Sequence, residues 1–116
     1  MTEQEFTEIY NDLLQLTRAK KIQWKTQEEG FSVAFSRSSV NLGLDNDYRV
    51  PNLRIYNDDG LMIAASALPV GDDYADRVRR FSLDPSELYE LVESQIFKYS
   101  ETTRNILDEL RQLRAS

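Results

Sequence analysis

Arg77, Arg79 and Arg80 crowd three guanidinium groups into four positions, with Tyr74 just upstream. Such a cluster is suited to holding a phosphate or a carboxylate through paired N–H donors. The opposing reading is local, because Asp72, Asp73 and Asp76 stand close by and would neutralise the same cations. Those aspartates, with Asp84, could in turn ligate a hard cation. They offer only oxygen donors, however, and a solvated acidic loop ahead of a helix accounts for the same pattern. Asn57-Asp58-Asp59-Gly60 has the composition of a calcium loop. An EF-hand spaces its ligands over roughly twelve residues and closes on a glutamate, whereas the chain here runs into Leu68 and Pro69. A tight turn is the simpler reading, and it covers Asp45-Asn46-Asp47 as well.

The chain of 116 residues contains no histidine and no cysteine. A serine nucleophile would lack its usual base, a thiolate nucleophile is impossible, and nitrogen or sulfur ligands for zinc are absent. There is no Gly-rich phosphate loop, and no two carboxylates can be placed across a cleft from spacing alone. The expectation is a protein without catalytic residues, metal or cofactor. The net charge is −6, and residues 1–60 and 61–116 each carry ten acidic and seven basic side chains. Counterion release from phosphates needs clustered cations, so an evenly acidic chain argues against nucleic acid and against an anionic membrane. Thr2, Glu3, Gln4 and Glu5 stand where a signal peptide needs a basic start, and no run is long and apolar enough to span a bilayer. A cytoplasmic, soluble protein is expected.

The elements that would position these residues are read from periodicity. Thr2-Glu3-Gln4-Glu5 fits a capping box, and Phe6, Ile9, Tyr10, Leu13, Leu14 and Leu16 form a helical stripe that ends near Ala19 to Lys21. The period then becomes two. Ile22 and Trp24; Phe31, Val33 and Phe35; Val40, Leu42 and Leu44; Leu53 and Ile55; and Leu61, Ile63 and Ala65 read as the inward positions of five antiparallel strands. Asp59-Gly60 favours a type I′ hairpin, and Pro51 places the fourth strand after it or on an edge. Residues 68–83 read as a crossing loop, with one helical turn at Tyr74 to Arg80. Asp84 as N-cap, Pro85 at the first helical position and Glu87 at the third then start a helix.

Leu88, Leu91, Val92, Ile96, Phe97, Tyr99, Ile106, Leu107, Leu110 and Leu113 continue that helix on core-like spacing. At about 1.5 Å per residue it would be roughly 45 Å long, too long for one compact domain, so it must bend, split or protrude. Ser100-Glu101-Thr102-Thr103 is the expected break. The fold class is α+β: one domain over residues 1–116, with a five-stranded antiparallel meander and the N-terminal and C-terminal helices on one face. The other sheet face presents Ser32, Ala34, Ser36, Asn41, Gly43, Tyr56, Met62, Ala64 and Ser66, with Arg54 among the few large polar residues. It is flat enough to meet a partner, with Arg54, Tyr56 and Met62 as contact candidates.

Phe6 to Leu14, Thr17, Ile22-Gln23-Trp24, Gly30-Phe31, Val40, Leu53-Arg54-Ile55, Asp59-Gly60, Leu88-Tyr89 and Ile106-Leu107-Leu110 together resemble a widespread group of small bacterial proteins of unknown function. Members share a helix, a Trp-containing first strand, a five-stranded meander with a Gly turn, and a C-terminal Leu-Tyr helix. The resemblance covers nearly the whole chain and implies the fold and a bacterial origin. Its motifs are core residues and bring no catalytic residue with them. The chain is also similar to secretion-chaperone-like domains, small acidic dimeric α+β proteins that carry a helix between the third and fourth strands. The functional expectation is a non-enzymatic interaction module, homodimeric through the outer sheet face or the overlong helix, with an unidentified protein partner. The alternatives are a small-ligand or nucleotide sensor using Tyr74, Arg77, Arg79 and Arg80, and a chaperone-like cargo binder.

Overall fold

The first helix, α1 (Glu3–Arg18), is capped as its sequence dictates. The Thr2 hydroxyl accepts from the Glu5 amide at 3.1 Å, and the Glu5 carboxylate accepts from the Thr2 amide at 2.8 Å. At the other end Lys20 takes the left-handed conformation (φ 58°). The Lys20 and Lys21 amides then donate back to the Thr17 and Leu16 carbonyls, closing the helix as a Schellman turn. These elements belong to a computed structural model, which describes residues 1–44, 49–66 and 77–116. No helix among the described residues is long and apolar enough to cross a membrane.

The sheet has six strands where the alternation implied five: β1 (Lys25–Gln27), β2 (Gly30–Ala34), β3 (Ser39–Leu44), β4 (Pro51–Tyr56), β5 (Met62–Ser66) and β6 (Arg79–Phe81), in that spatial order. The first five form the expected antiparallel meander, and β6 adds to β5 in parallel. Arg79 and Arg80 therefore sit in a strand rather than in a loop or helical turn. Three residues are too few for alternation to register. Pro51 opens β4 opposite Leu44, at the first strand position, where a missing donor is tolerated.

Two lateral rows, Phe31–Leu42–Leu53 and Val33–Val40–Ile55–Ala64, floor the core. They are covered by Phe6, Tyr10, Leu13 and Leu14 of α1 and by Leu88 and Val92 of α2 (Ser86–Phe97). Phe81 of β6 stacks on Phe6 with ring centroids 4.7 Å apart. Trp24 is buried as expected, but it and Ile22 precede β1 instead of lying in it. Its indole N–H donates to the Thr17 hydroxyl at 3.0 Å, and the Gln95 amide donates to the Thr17 carbonyl at 2.8 Å. Fully buried Thr17 thus ties α1, the following loop and α2 together.

Three inward assignments change. Phe35 lies in the β2–β3 turn, where its amide donates to the Ser38 carbonyl, and Leu61 precedes β5; both are exposed. In β5 a bulge opposite Ile55 and Tyr56 inserts one residue, so Ala64 faces the core and Ala65 pairs with Arg54 on the outer face. A slip of one residue exchanges the faces of everything beyond it. Ser66, read as outward, pairs with core-facing Phe81. The β4–β5 turn is a three-residue loop rather than a type I′ pair. Gly60 donates to the Asn57 carbonyl, Asn57 donates to the Leu61 carbonyl, and Gly60 alone has positive φ (78°).

The second helix starts one position later than expected. Pro85 occupies its N-terminal boundary, and the Asp84 carboxylate accepts from the Ser86 amide at 3.0 Å. Glu87 lies in the first turn, as expected, and pairs with Arg18 of α1. The last helix, α3 (Tyr99–Ala115), follows after Lys98 alone. The molecule measures 64 × 31 × 23 Å with a radius of gyration of 17.4 Å, against about 13 Å for a compact domain of this size. The long dimension comes from α3.

Candidate interaction site

The helix break falls at Lys98, two residues before the hydroxyl-rich segment where it was expected. Lys98 adopts φ 52° and ψ 45°, so it ends α2 and begins α3 in one step. Its amide donates to the Ser94 carbonyl, and its carbonyl accepts from the Thr102 amide, each at 2.9 Å. A left-handed lysine is strained by roughly 1–2 kcal/mol, and an aromatic ladder braces the elbow against that strain. Buried Phe31 meets Tyr89 (5.4 Å between centroids) and the edge of Phe97 (6.2 Å), and Phe97 stacks on Tyr99 (5.8 Å). Burial pushes the Tyr89 phenol up, so it stays neutral at the base of the ladder. On the other side of the elbow, Ile22, Trp24, Val92 and Ile96 line an open groove of about 550 Å³ rimmed by Lys20 and Lys98.

Beyond the elbow, none of the seventeen residues of α3 is buried. Ile106, Leu107, Leu110 and Leu113, spaced as core residues, are instead 45 to 71% exposed. Together with Tyr99 and Thr103, the positions 99, 103, 106, 110 and 113 alternate steps of four and three. That spacing draws one seam along the helix, and Leu107 widens it. The charged residues keep clear of the seam. Asp108 and Arg111 pair with each other at 3.6 Å on the opposite side, while Glu109 and Arg114 flank the seam on its two edges. Apart from Tyr99, which stacks on Phe97, the apolar face of this amphipathic helix buries no residue against the described rest of the chain.

The residues singled out for binding are only partly brought together. One row on the outer sheet face runs Lys25–Ser32–Asn41–Arg54–Ala65–Arg80, and beside it Tyr56 pairs with Met62. Arg77 donates its Nε–H to the backbone carbonyl of Met62 at 3.3 Å, a bond to the strand itself that assigns it to neither face. Arg79 pairs with core-facing Ala64 and so lies on the opposite side of β6 from Arg80. The arginine trio therefore does not converge on one anion. Arg80 has a bonded partner of its own. The Arg54 Nε and the Asn52 Oδ1 are buried on the outer face without a hydrogen-bond partner among the described residues. Tyr74, Asp72, Asp73, Asp76, Asp45, Asn46 and Asp47 lie outside the described residues.

The turn read against calcium has its side-chain oxygen committed. Asn57 Oδ1 accepts from the Asp59 and Leu61 amides, both at 3.0 Å, as an Asx turn does. Among the described residues no group of three acidic side chains converges as a metal site. Compared with family models, with curated proteins and with solved structures, the chain has no significant match in any of the three. Its function has to be read from its own residues. Sequence reasoning gave Ile106, Leu107, Leu110 and Leu113 core-like spacing and named other residues for binding, while offering the overlong helix as one of two dimer surfaces. The available signal was length, since a helix overrunning its domain must leave part of its apolar face uncovered.

Proposed function

We propose that this chain is a non-enzymatic protein-interaction module whose docking element is α3. One observation carries the reading: a 17-residue amphipathic helix with no buried residue projects from an otherwise well-packed domain. Exposed apolar faces of this extent mark association surfaces in proteins that must also stay dispersed in water. The described polar groups support the same reading. The Asp84 carboxylate is spent at the start of α2 and the Asn57 oxygen in a hairpin turn, and the chain has no histidine or cysteine to act as base or nucleophile.

The test compares the intact chain with Leu110→Glu. Leu110 is half exposed, so the substitution leaves the core untouched, which circular dichroism and Trp24 fluorescence verify. Chemical cross-linking of the native protein in a bacterial cell extract, followed by peptide mapping, should place cross-links on α3 that Leu110→Glu abolishes. Cross-links confined to the outer sheet face, or unchanged by the substitution, would overturn the assignment.

A further inference from the structure

We infer that α3 docks on α3 of a second copy of this chain, the two helices running parallel as a short two-stranded coiled coil. This rests on the reading of α3 as the docking element and names its occupant. The first ground is the seam. With Thr103 and Leu110 at a positions and Tyr99, Ile106 and Leu113 at d positions, a two-fold axis along the helix sets each residue against its own copy. The layers are then Tyr99–Tyr99, Thr103–Thr103, Ile106–Ile106, Leu110–Leu110 and Leu113–Leu113. The Thr103 layer is polar in an otherwise apolar series, and such a layer fixes register.

The second ground is charge. In this register Glu109 falls at a g position and Arg114 at the e position of the next heptad. In a parallel pair each Glu109 faces the Arg114 of the other copy, twice by symmetry. The preceding pair of the same type is Thr102 with Leu107, which adds an apolar contact at the seam edge. An antiparallel pair over the same five layers would set g against g and e against e, which places Glu109 opposite Thr102 and gives up both Glu109–Arg114 pairs. The remaining charges, Glu101, Arg104, Asp108 and Arg111, stay on the far side in water. A heterologous partner would have to match a surface that already complements itself.

The third ground is area. Five large side chains that are 45 to 71% exposed offer on the order of 500 Å² of mostly apolar surface per copy before their flanks are counted, near the lower bound for a specific interface. The dimer is therefore concentration-dependent, dissociating in the micromolar range. The elbow serves this pairing. Lys98 and the Phe31–Phe97–Tyr99 ladder fix the direction in which α3 leaves the domain, so part of the ordering is already in place before the copies meet.

The test exploits the absence of cysteine. Light scattering of the full chain from about 1 to about 100 μM should show a mass rising from 13.5 kDa towards twice that value. Leu110→Glu should weaken the dissociation constant by about 100-fold or more. Arg114→Glu should weaken it by roughly 3- to 10-fold, and Glu109→Arg combined with Arg114→Glu should restore it to within about 2-fold. Under mild oxidation Leu113→Cys should form a covalent dimer, because a parallel pair brings the two thiols within disulfide reach, whereas Asn105→Cys on the outer side should not.

A monomer throughout the range, a larger oligomer, or Leu113→Cys chains that do not cross-link would overturn the proposal. If the chain is monomeric while extract cross-links still map to α3 and vanish with Leu110→Glu, the second copy is excluded and the docking role of α3 stands. If neither measurement responds to Leu110→Glu, both fall.

Discussion

Replacing Thr17 by Val tests the packing at the centre of the molecule. The exchange keeps the branched shape of a fully buried side chain and turns the hydroxyl that accepts from Trp24 Nε1 into a methyl. The indole N–H then stays buried with nothing to donate to, a loss of about 1–3 kcal/mol. At about 3–6 °C per kcal/mol for a domain of this size, the thermal midpoint should fall by roughly 3–18 °C. Trp24 is the only tryptophan, so urea denaturation followed by its fluorescence reports on this site and on global unfolding together. The Gln95 bond goes to the Thr17 carbonyl and survives the substitution. Trp24→Phe, alone and combined with Thr17→Val, removes the fluorophore, so circular dichroism reads all four chains of a double-mutant cycle with an expected coupling near 1 kcal/mol. A Thr17→Val midpoint equal to that of the parent, or a vanishing coupling energy, would refute the reasoning.

Gly30→Ala should be far more damaging than Gly60→Ala in thermal melts. A Cβ on Gly30 (φ 147°) would lie 2.0 Å from the Leu42 carbonyl oxygen in the neighbouring strand, whereas one on Gly60 (φ 78°) meets open space and bears only backbone strain of about 1–2 kcal/mol. Acidification should destabilise the fold, because the Ser86 hydroxyl and amide hold the Asp84 carboxyl low and the Thr2 amide does the same for Glu5. A folded pKa below the unfolded one gives stability that is complete above about pH 4 and lost as the pH falls through the folded values; Asp84→Asn, which still caps, should flatten melting midpoints measured between about pH 5 and about pH 3. Titration calorimetry with zinc or calcium should show no micromolar binding, since Asn57 Oδ1 already accepts two amides and no imidazole or thiolate is present.

Much of the scaffold was legible because several local signals agreed. Thr2 and Glu5 specified a cap that forms atom for atom, and Phe31, Val33, Val40, Leu42, Leu53 and Ile55 fall on the face their period demanded. Disagreement begins where one residue changes the count. The bulge beside Ile55 and Tyr56 carries no compositional mark, yet it moves Ala64 into the core and sends Ala65 outward. Phe35 and Leu61 continue the alternation of their strands on paper, but each strand turns or begins at that point. Strand β6 is three residues long, and two of them are arginines. Pairing in parallel with β5, it depends on a distant neighbour that no local period encodes.

The exposed face of α3 was half legible: the overlong helix reads as one of two dimer surfaces, but its apolar residues cannot be told from core ones. A core stripe and an interface stripe obey one periodicity, because both put apolar side chains on one side of a helix. Ile106, Leu107, Leu110 and Leu113 carry no feature that separates them from Leu88 and Val92; only the turn at Lys98 sends the two sets to different environments. That turn is set by lysine rather than glycine, so composition gave no warning. The physical consequence reaches beyond geometry. An isolated helix of about 17 residues is marginal in water, and among the described residues α3 is braced at its first turn, through Lys98, Phe97 and Tyr99. Covering its apolar face stabilises the helix itself as well as the contact. Order in α3 and occupation of its surface are therefore linked, and a substitution that strips the seam should loosen the helix beyond the elbow while the sheet and α2 keep their stability.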